Sequence, residues 1–346
     1  MSAHPLDLER IAARGTPDAV LRVLFRLAIA DSLRARLAGG AEVQQASKLA
    51  LMRRMADIPL ATPTDPASHQ HYDLPCDFYR IFLGPRMVYS ACLFPEGIGE
   101  IEAAEEAMLA LMCSRAGLED GQAVLDLGCG WGGLSLHIAR SYPRCRVHAL
   151  TNSSQQVGWV VGRARELGVA DRVTVELADV TRWEAPHRFD RVVSVEMFEY
   201  IRNHAALLRS ISRWLTPAGR LFVQVLAHRS VAYLPEGSAD TALFSGGFTP
   251  SADWFLYFQD DLRLLDHQIV SGLHYHRTCE AWLSRLDARW DEAEALLTGH
   301  FGAEEGRRQL ALFKLFFLNS SESCRFEDGD AYLLTHSVFE PRRPPA

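Results

Sequence analysis

Residues 124–133, VLDLGCGWGG, constrain the fold of this chain more than any other segment. Val124, Leu125 and Leu127 make a short apolar run of the kind a buried strand needs, and Gly128, Gly130, Gly132 and Gly133 follow at once. Leu134 to Arg140 then reads as the opening of a helix. Strand, glycine turn and helix together form a unit that can seat a ligand against bare backbone at a helix N-terminus. Glycine is used there because a Cβ would block the ligand or the required positive φ. The segment points to a nucleotide-like cofactor bound at the edge of an α/β sheet.

Strand-like runs recur downstream at about 146–151, 173–179, 190–196 and 219–226, separated by helical stretches. That alternation predicts a parallel, doubly wound sheet with right-handed crossovers. Ahead of it, residues 8–57 carry helical periodicity, 59–75 is a proline-rich linker, and 105–116 is helical again. Beyond it come an insertion containing GSADTALFSGGFTPSADW, a strand-like run at 263–277, helices at 279–298 and 303–318, and a last strand at 330–340. The expected organisation is an N-terminal helical extension (1–65), a segment covering the cofactor (66–120) and a core (121–346) carrying a helical lid at about 227–329.

A net charge of −7 and the absence of long basic runs argue against nucleic acid as a partner. The polar N-terminus and the lack of any span-length apolar run predict a cytoplasmic protein without stable membrane insertion, and a homodimer is compatible with the sequence. Seven cysteines lack paired or metal-ligand spacing, so free thiols and no bound metal are expected.

Asp126 inside the strand and the GxGxGG spacing after it resemble motif I of the S-adenosylmethionine-dependent methyltransferases, in their class I Rossmann-like fold. The resemblance implies S-adenosylmethionine as cofactor. Asp126, Gly128 and Gly130 would line its site; Thr151 and Asn152, where an acid would normally close strand two, would serve the ribose hydroxyls; Asp179 would meet the adenine amino group.

HYDLPCDFYRIFLGPRMVYSACLF at 71–94, VEMFEY at 195–200, YFQDD at 257–261 and HYHRT at 274–278 are similar to one lineage of that superfamily. It holds the cyclopropane fatty acid synthases and the plant benzylisoquinoline alkaloid N-methyltransferases. TNSSQQ at 151–156, SGGFTPSA at 245–252 and the tail from Phe313 to Phe339 look closer to the alkaloid branch. By this resemblance Tyr89 and Ser90 would approach the cofactor's methionine carboxylate and Gln156 its ribose or methionine part.

The bicarbonate site of the synthases would need a Cys after the Tyr-Ser pair and a His on strand five, where this chain has Ala91 and Gln224. The alkaloid branch uses carboxylates and a His after strand four, matched here by Glu196, Glu199 and Tyr200. An amine arrives as an ammonium ion, so a carboxylate must hold it and take its proton before nitrogen attacks. Two glutamates three apart would share one helical turn, with His204 one turn on as a further base.

Tyr257, Tyr275, Phe313 and Phe316 are candidates for the wall of a substrate pocket, and Glu322 for amine binding. The expected activity is methyl transfer to a small cyclic or aromatic amine. Methylation or cyclopropanation of unsaturated lipid acyl chains, and a cofactor-binding protein with a degenerate site, are the alternatives.

Overall fold

The computed structural model describes residues 16–60, 74–234 and 247–342. Two helices open it, α1 (Asp18–Leu37) and α2 (Gly40–Ala56), separated at Gly39 and Gly40, whose positive φ breaks the periodicity expected to run from 8 to 57. Residues 8–15, most of the proline-rich linker and the glycine-rich start of the insertion lie outside the described residues.

After α3 (Cys76–Phe82) and α4 (Ile101–Arg115) the alternation begins: β1 (Ala123–Leu127), α5 (Gly133–Ser141), β2 (Arg146–Thr151), α6 (Ser154–Glu166), β3 (Val173–Leu177), β4 (Phe189–Val195), α7 (His204–Trp214) and β5 (Leu215–His228). β6 (Leu262–Val270), three helices α8 (Gly272–Ala288), α9 (Trp290–Phe301) and α10 (Ala303–Arg325), and β7 (Tyr332–Pro341) complete the chain. The seven strands stand in the order β3-β2-β1-β4-β5-β7-β6, with β1 to β5 parallel and β7 antiparallel to both its neighbours. This is the doubly wound sheet that the sequence alternation predicts, its reversal point between β1 and β4.

Alternation along each strand feeds two cores, one per sheet face. Val124, Val193 and Phe222 pack into the core shared with α1, α3, α4, α8 and α10. Their neighbours Leu125, Val192, Leu221 and Val223 pack into the other, with Leu207, Ile211 and Trp214 of α7, Met55 of α2 and Trp254. The two opening helices therefore serve opposite faces.

Three sequence expectations need correction. The run at 263–277 is strand only to Val270. Ser271 accepts from the Leu273 N–H as an N-cap, and Gly272 lies so close to the Tyr332 and Cys324 carbonyls that no side chain fits, so the chain turns into α8 there. HYHRT is consequently helical. The helix expected at 279–298 is two helices meeting at Arg289, and the one expected at 303–318 extends to Arg325.

Candidate active site

The C-terminal ends of β1, β2, β3 and β4 surround a cavity enclosing about 1260 Å³ of non-atom space, part of it open to solvent. Tyr89, Ser90, Asp126, Gly128, Gly130, Thr151, Asn152, Gln156 and Asp179 all line it, joined by Glu196, Met197 and Tyr200. Residues separated by up to 111 positions in sequence, Tyr89 to Tyr200, thus meet at the reversal point of the strand order, where the fold opens a crevice.

Gly128 holds φ +77 and Gly130 φ +53, both in the left-handed region. A Cβ on Gly128 would come within 2.7 Å of the Met197 side chain, whereas nothing lies within 4 Å of the same point on Gly130. Gly130 therefore offers bare backbone to open space, as close approach of a ligand requires. Gly128→Val is expected to abolish measurable binding of S-adenosylhomocysteine in isothermal calorimetry, because branched carbon would collide with Met197 at a φ that valine does not tolerate. Binding at unchanged affinity would show that the loop does not hold the ligand.

The polar groups around that loop are preset. Ser135 donates to an Asp126 oxygen at 2.6 Å, yet burial still pushes the Asp126 carboxyl up to about 6. Thr151 donates to the Gln156 carbonyl oxygen, which leaves the amide nitrogen as the end of Gln156 available to a ligand. Asp179 lies past the end of β3 and accepts from both the backbone N–H and the hydroxyl of Thr181. Acceptors and donors at three strand ends, with unobstructed glycine backbone between them, fit a ligand carrying amino, hydroxyl and carboxylate groups. S-adenosylmethionine is such a ligand.

The loop bearing Tyr89 and Ser90 is fastened from outside the cavity. Glu105 of α4 accepts from the Arg86 and Val88 N–H groups at 3.0 and 3.2 Å, although burial pushes its carboxyl up to about 7. No sequence signal pointed to this residue.

Glu196 follows β4 directly at φ +49, so it does not share a helical turn with Glu199, which sits in the 3-10 turn Phe198–Tyr200. That unusual backbone turns its carboxylate toward the loop after Tyr89. Oε1 accepts from the Ala91 N–H and the Gln224 amide, both at 3.0 Å, and Oε2 from the Tyr275 hydroxyl at 3.1 Å. Burial nevertheless holds the Glu196 carboxyl above its ordinary range. Glu199 accepts only from the Leu226 N–H at 2.8 Å, and its Oε2 is buried with no hydrogen-bond partner among the described residues. Burial, and then the charge of Glu196, drive its proton affinity well up.

The remaining candidates divide. Tyr275, from α8, reaches the site through Glu196, and Tyr200 lines the cavity. His204 does not act as a base. Its Nε2 donates to the Phe198 carbonyl, its Nδ1 accepts from the Trp254 indole, and burial depresses it to about 4.

Phe313, Phe316, Tyr257, Tyr275 and Glu322 are not among the residues that line this cavity. Phe313 and Phe316 are buried in an aromatic core, Phe313 packing 4.8 Å from Phe78 and Phe316 5.4 Å from Phe317. Tyr257 is 37% exposed, with the Lys48 ammonium 5.8 Å from its ring centroid. Glu322 is fully buried and already paired: Arg22 binds one oxygen at 2.9 Å and Arg26 the other at 2.8 Å. Tertiary arginines from α1 explain an acidic side chain that helix periodicity alone could not.

Residues 61–322 match the family model described as mycolic acid cyclopropane synthetase. The (S)-coclaurine N-methyltransferase of Thalictrum flavum subsp. glaucum is 33% identical over 97% of this chain and 95% of its own. The cyclopropane-fatty-acyl-phospholipid synthase of Escherichia coli (strain K12) is 30% identical over 64% of this chain and 57% of its own. Among solved structures, a coclaurine N-methyltransferase bound to N-methylheliamine and S-adenosylhomocysteine superimposes with a TM-score of 0.92 at 34% identity, covering 96% of this chain and 98% of that one. The cyclopropane synthase MmaA2 of Mycobacterium tuberculosis shares the fold, with a TM-score of 0.67 at 23% identity over 81% of this chain. With a cavity built for that cofactor and relatives matched along nearly its whole length, the chain belongs to the mycolic acid cyclopropane synthetase family and is an S-adenosylmethionine-dependent methyltransferase.

Proposed function

We propose that the protein methylates the nitrogen of a small cyclic or aromatic amine, with Glu196 and Glu199 receiving the amine. The observation that carries this reading is the buried Glu199 Oε2 without a partner, next to a second carboxylate on the cavity wall. A buried acceptor left unpaired is costly, and an ammonium N–H arriving at the site would satisfy it. The nearly full-length likeness to a coclaurine N-methyltransferase supports the same class of acceptor.

Bound S-adenosylmethionine supplies a methyl group on a positively charged sulfur, open to in-line displacement. The chain's own work is to hold the amine, take its proton and exclude water. Glu196, fixed by three hydrogen bonds, is the carboxylate that stays ionised when the pair carries one proton, while Glu199, with one, is the partner that holds it. An ammonium entering the site releases its proton to this pair, which frees the nitrogen lone pair for attack. Tyr200 offers a phenol hydroxyl at the same wall. Ala91 and Gln224 supply neither the thiol nor the imidazole on which cyclopropanation of an alkene would draw.

A panel test separates the acceptor classes. Cyclic secondary amines with a fused aromatic ring should become N-methylated by the protein and S-adenosylmethionine, while vesicles of unsaturated phospholipid should remain unchanged with or without bicarbonate. Methylated or cyclopropanated acyl chains, with inert amines, would reverse the assignment.

The pH dependence follows from the raised carboxyls. A base must be deprotonated to work, so turnover should fall as pH is lowered through the pair's apparent pKa, and the fall should begin above the ordinary carboxylate value of about 4.3. An acid limb of kcat at the ordinary carboxylate position would remove the pair from the proton transfer.

A further inference from the structure

Gln224 stands directly across from His336 in the antiparallel pairing of β5 with β7, and its backbone carbonyl accepts from the Glu196 N–H at 2.9 Å. The side chains form a continuous file. Arg115, in the last turn of α4, lies 2.7 Å from His336 Nδ1; His336 Nε2 lies 2.7 Å from Gln224 Oε1; Gln224 Nε2 lies 3.0 Å from Glu196 Oε1. Gln224 and His336 are at most 1% exposed, and Arg115 is half-buried.

The direction of this file is decided at its outer end. A guanidinium can only donate, so His336 Nδ1 must accept and the ring's single proton must sit on Nε2. Nε2–H then donates to Gln224 Oε1, which leaves the Gln224 NH₂ to donate to Glu196. Burial depresses His336 to about 3, so the ring stays neutral and keeps one tautomer at working pH.

We infer that Arg115 and His336 are positioning residues that set the polarity of this file, so that Gln224 presents a donor to Glu196 and keeps it an anion. With Arg115 absent, the opposite tautomer becomes available: Nδ1–H, an accepting Nε2, a flipped Gln224 and a carbonyl oxygen facing Glu196. Glu196 would then have to take a proton to meet that oxygen. The inference rests on the proposed role of Glu196 as the amine's carboxylate.

The other titratable groups facing Glu196 do not substitute for the file. Glu199 competes for the same proton, the Tyr275 hydroxyl donates to the opposite oxygen, and the Cys92, Cys279 and Cys324 thiols are held neutral by burial. At the outer end, burial lowers the proton affinity of Arg115 and the charge of Asp266 opposes that lowering.

The test is a carbon-13 NMR titration of the Glu196 carboxyl in the full chain with S-adenosylhomocysteine bound, its signal assigned by loss in Glu196→Gln. In Arg115→Met the Glu196 proton affinity should rise by about tenfold, one pKa unit, and Arg115→Lys should restore it. His336→Leu retains the Arg115 charge but breaks the file, and it should raise the affinity as Arg115→Met does. An unchanged titration in Arg115→Met, or a response in Arg115→Met but none in His336→Leu, would overturn the file and leave only a distant charge effect.

Nitrogen-15 NMR of the unaltered protein gives a check that needs no variant to fold: protonated Nε2 supports the assignment and protonated Nδ1 overturns it. These readouts involve no turnover. Failure of the amine reading would appear instead as inert amines with the titrations as described.

Discussion

Glu196→Gln should lower the rate of amine methylation by about 10²- to 10⁴-fold, while affinity for S-adenosylhomocysteine changes by no more than about threefold. The substitution keeps the side chain's length and one oxygen. That oxygen can still accept from the Ala91 N–H, so the loop carrying Tyr89 and Ser90 stays in place. What disappears is the proton acceptor and the negative charge that holds an ammonium. An effect confined to kcat identifies a group acting on the amine, whereas equal losses in kcat and cofactor affinity would mean that Glu196 only shapes the cavity. A variant with undiminished turnover would remove it from the chemistry.

The second large effect is on stability, and it separates Glu322 from the amine. In Arg22→Met, the fully buried Glu322 carboxylate retains Arg26 and an Arg325 guanidinium 3.9 Å away but loses its partner at 2.9 Å. Stripping one partner from a buried ion pair costs about 3 kcal/mol, and for a chain of this size the thermal midpoint should drop by about 5 °C. Arg22 also binds Glu280 of α8 at 2.7 Å, so the same change loosens α1 from two of the C-terminal helices. The KM for the amine should hold constant at temperatures where the variant is folded. A raised KM with an unchanged melting curve would return Glu322 to the substrate site.

The glycine segment carried most of what could be read in advance, for a physical reason. Strand burial, positive φ and ligand approach all act within ten residues there, so their demands fall on adjacent letters. The nine residues expected around the cofactor come from three strand ends, the start of α6 and one loop, and the parallel sheet brings those ends to one edge by its own geometry. Pairings across the fold were a different matter.

Glu322 reads in sequence as an acid on an amphipathic helix, and only the arrival of α1 from 296 to 300 residues away shows that its charge is already matched. His204 reads as a base one turn beyond the glutamates, until Phe198 and Trp254 occupy both its nitrogens. Gln224 reads as a ligand lost, whereas the register of β5 against β7 makes it the link between His336 and Glu196. Glu196 itself departs from helical geometry at φ +49, a strain that places a carboxylate on the cavity wall and that no local propensity predicts.

Determining the structure of the protein with S-adenosylhomocysteine and a cyclic N-methylamine tests the central claim most directly. The amine nitrogen should lie about 3 Å from a carboxylate oxygen of Glu196 or Glu199, with the homocysteine sulfur beyond Gly128 and Gly130 on the line of methyl transfer. An amine seated away from both glutamates, or an acyl chain occupying the space beside them, would contradict it.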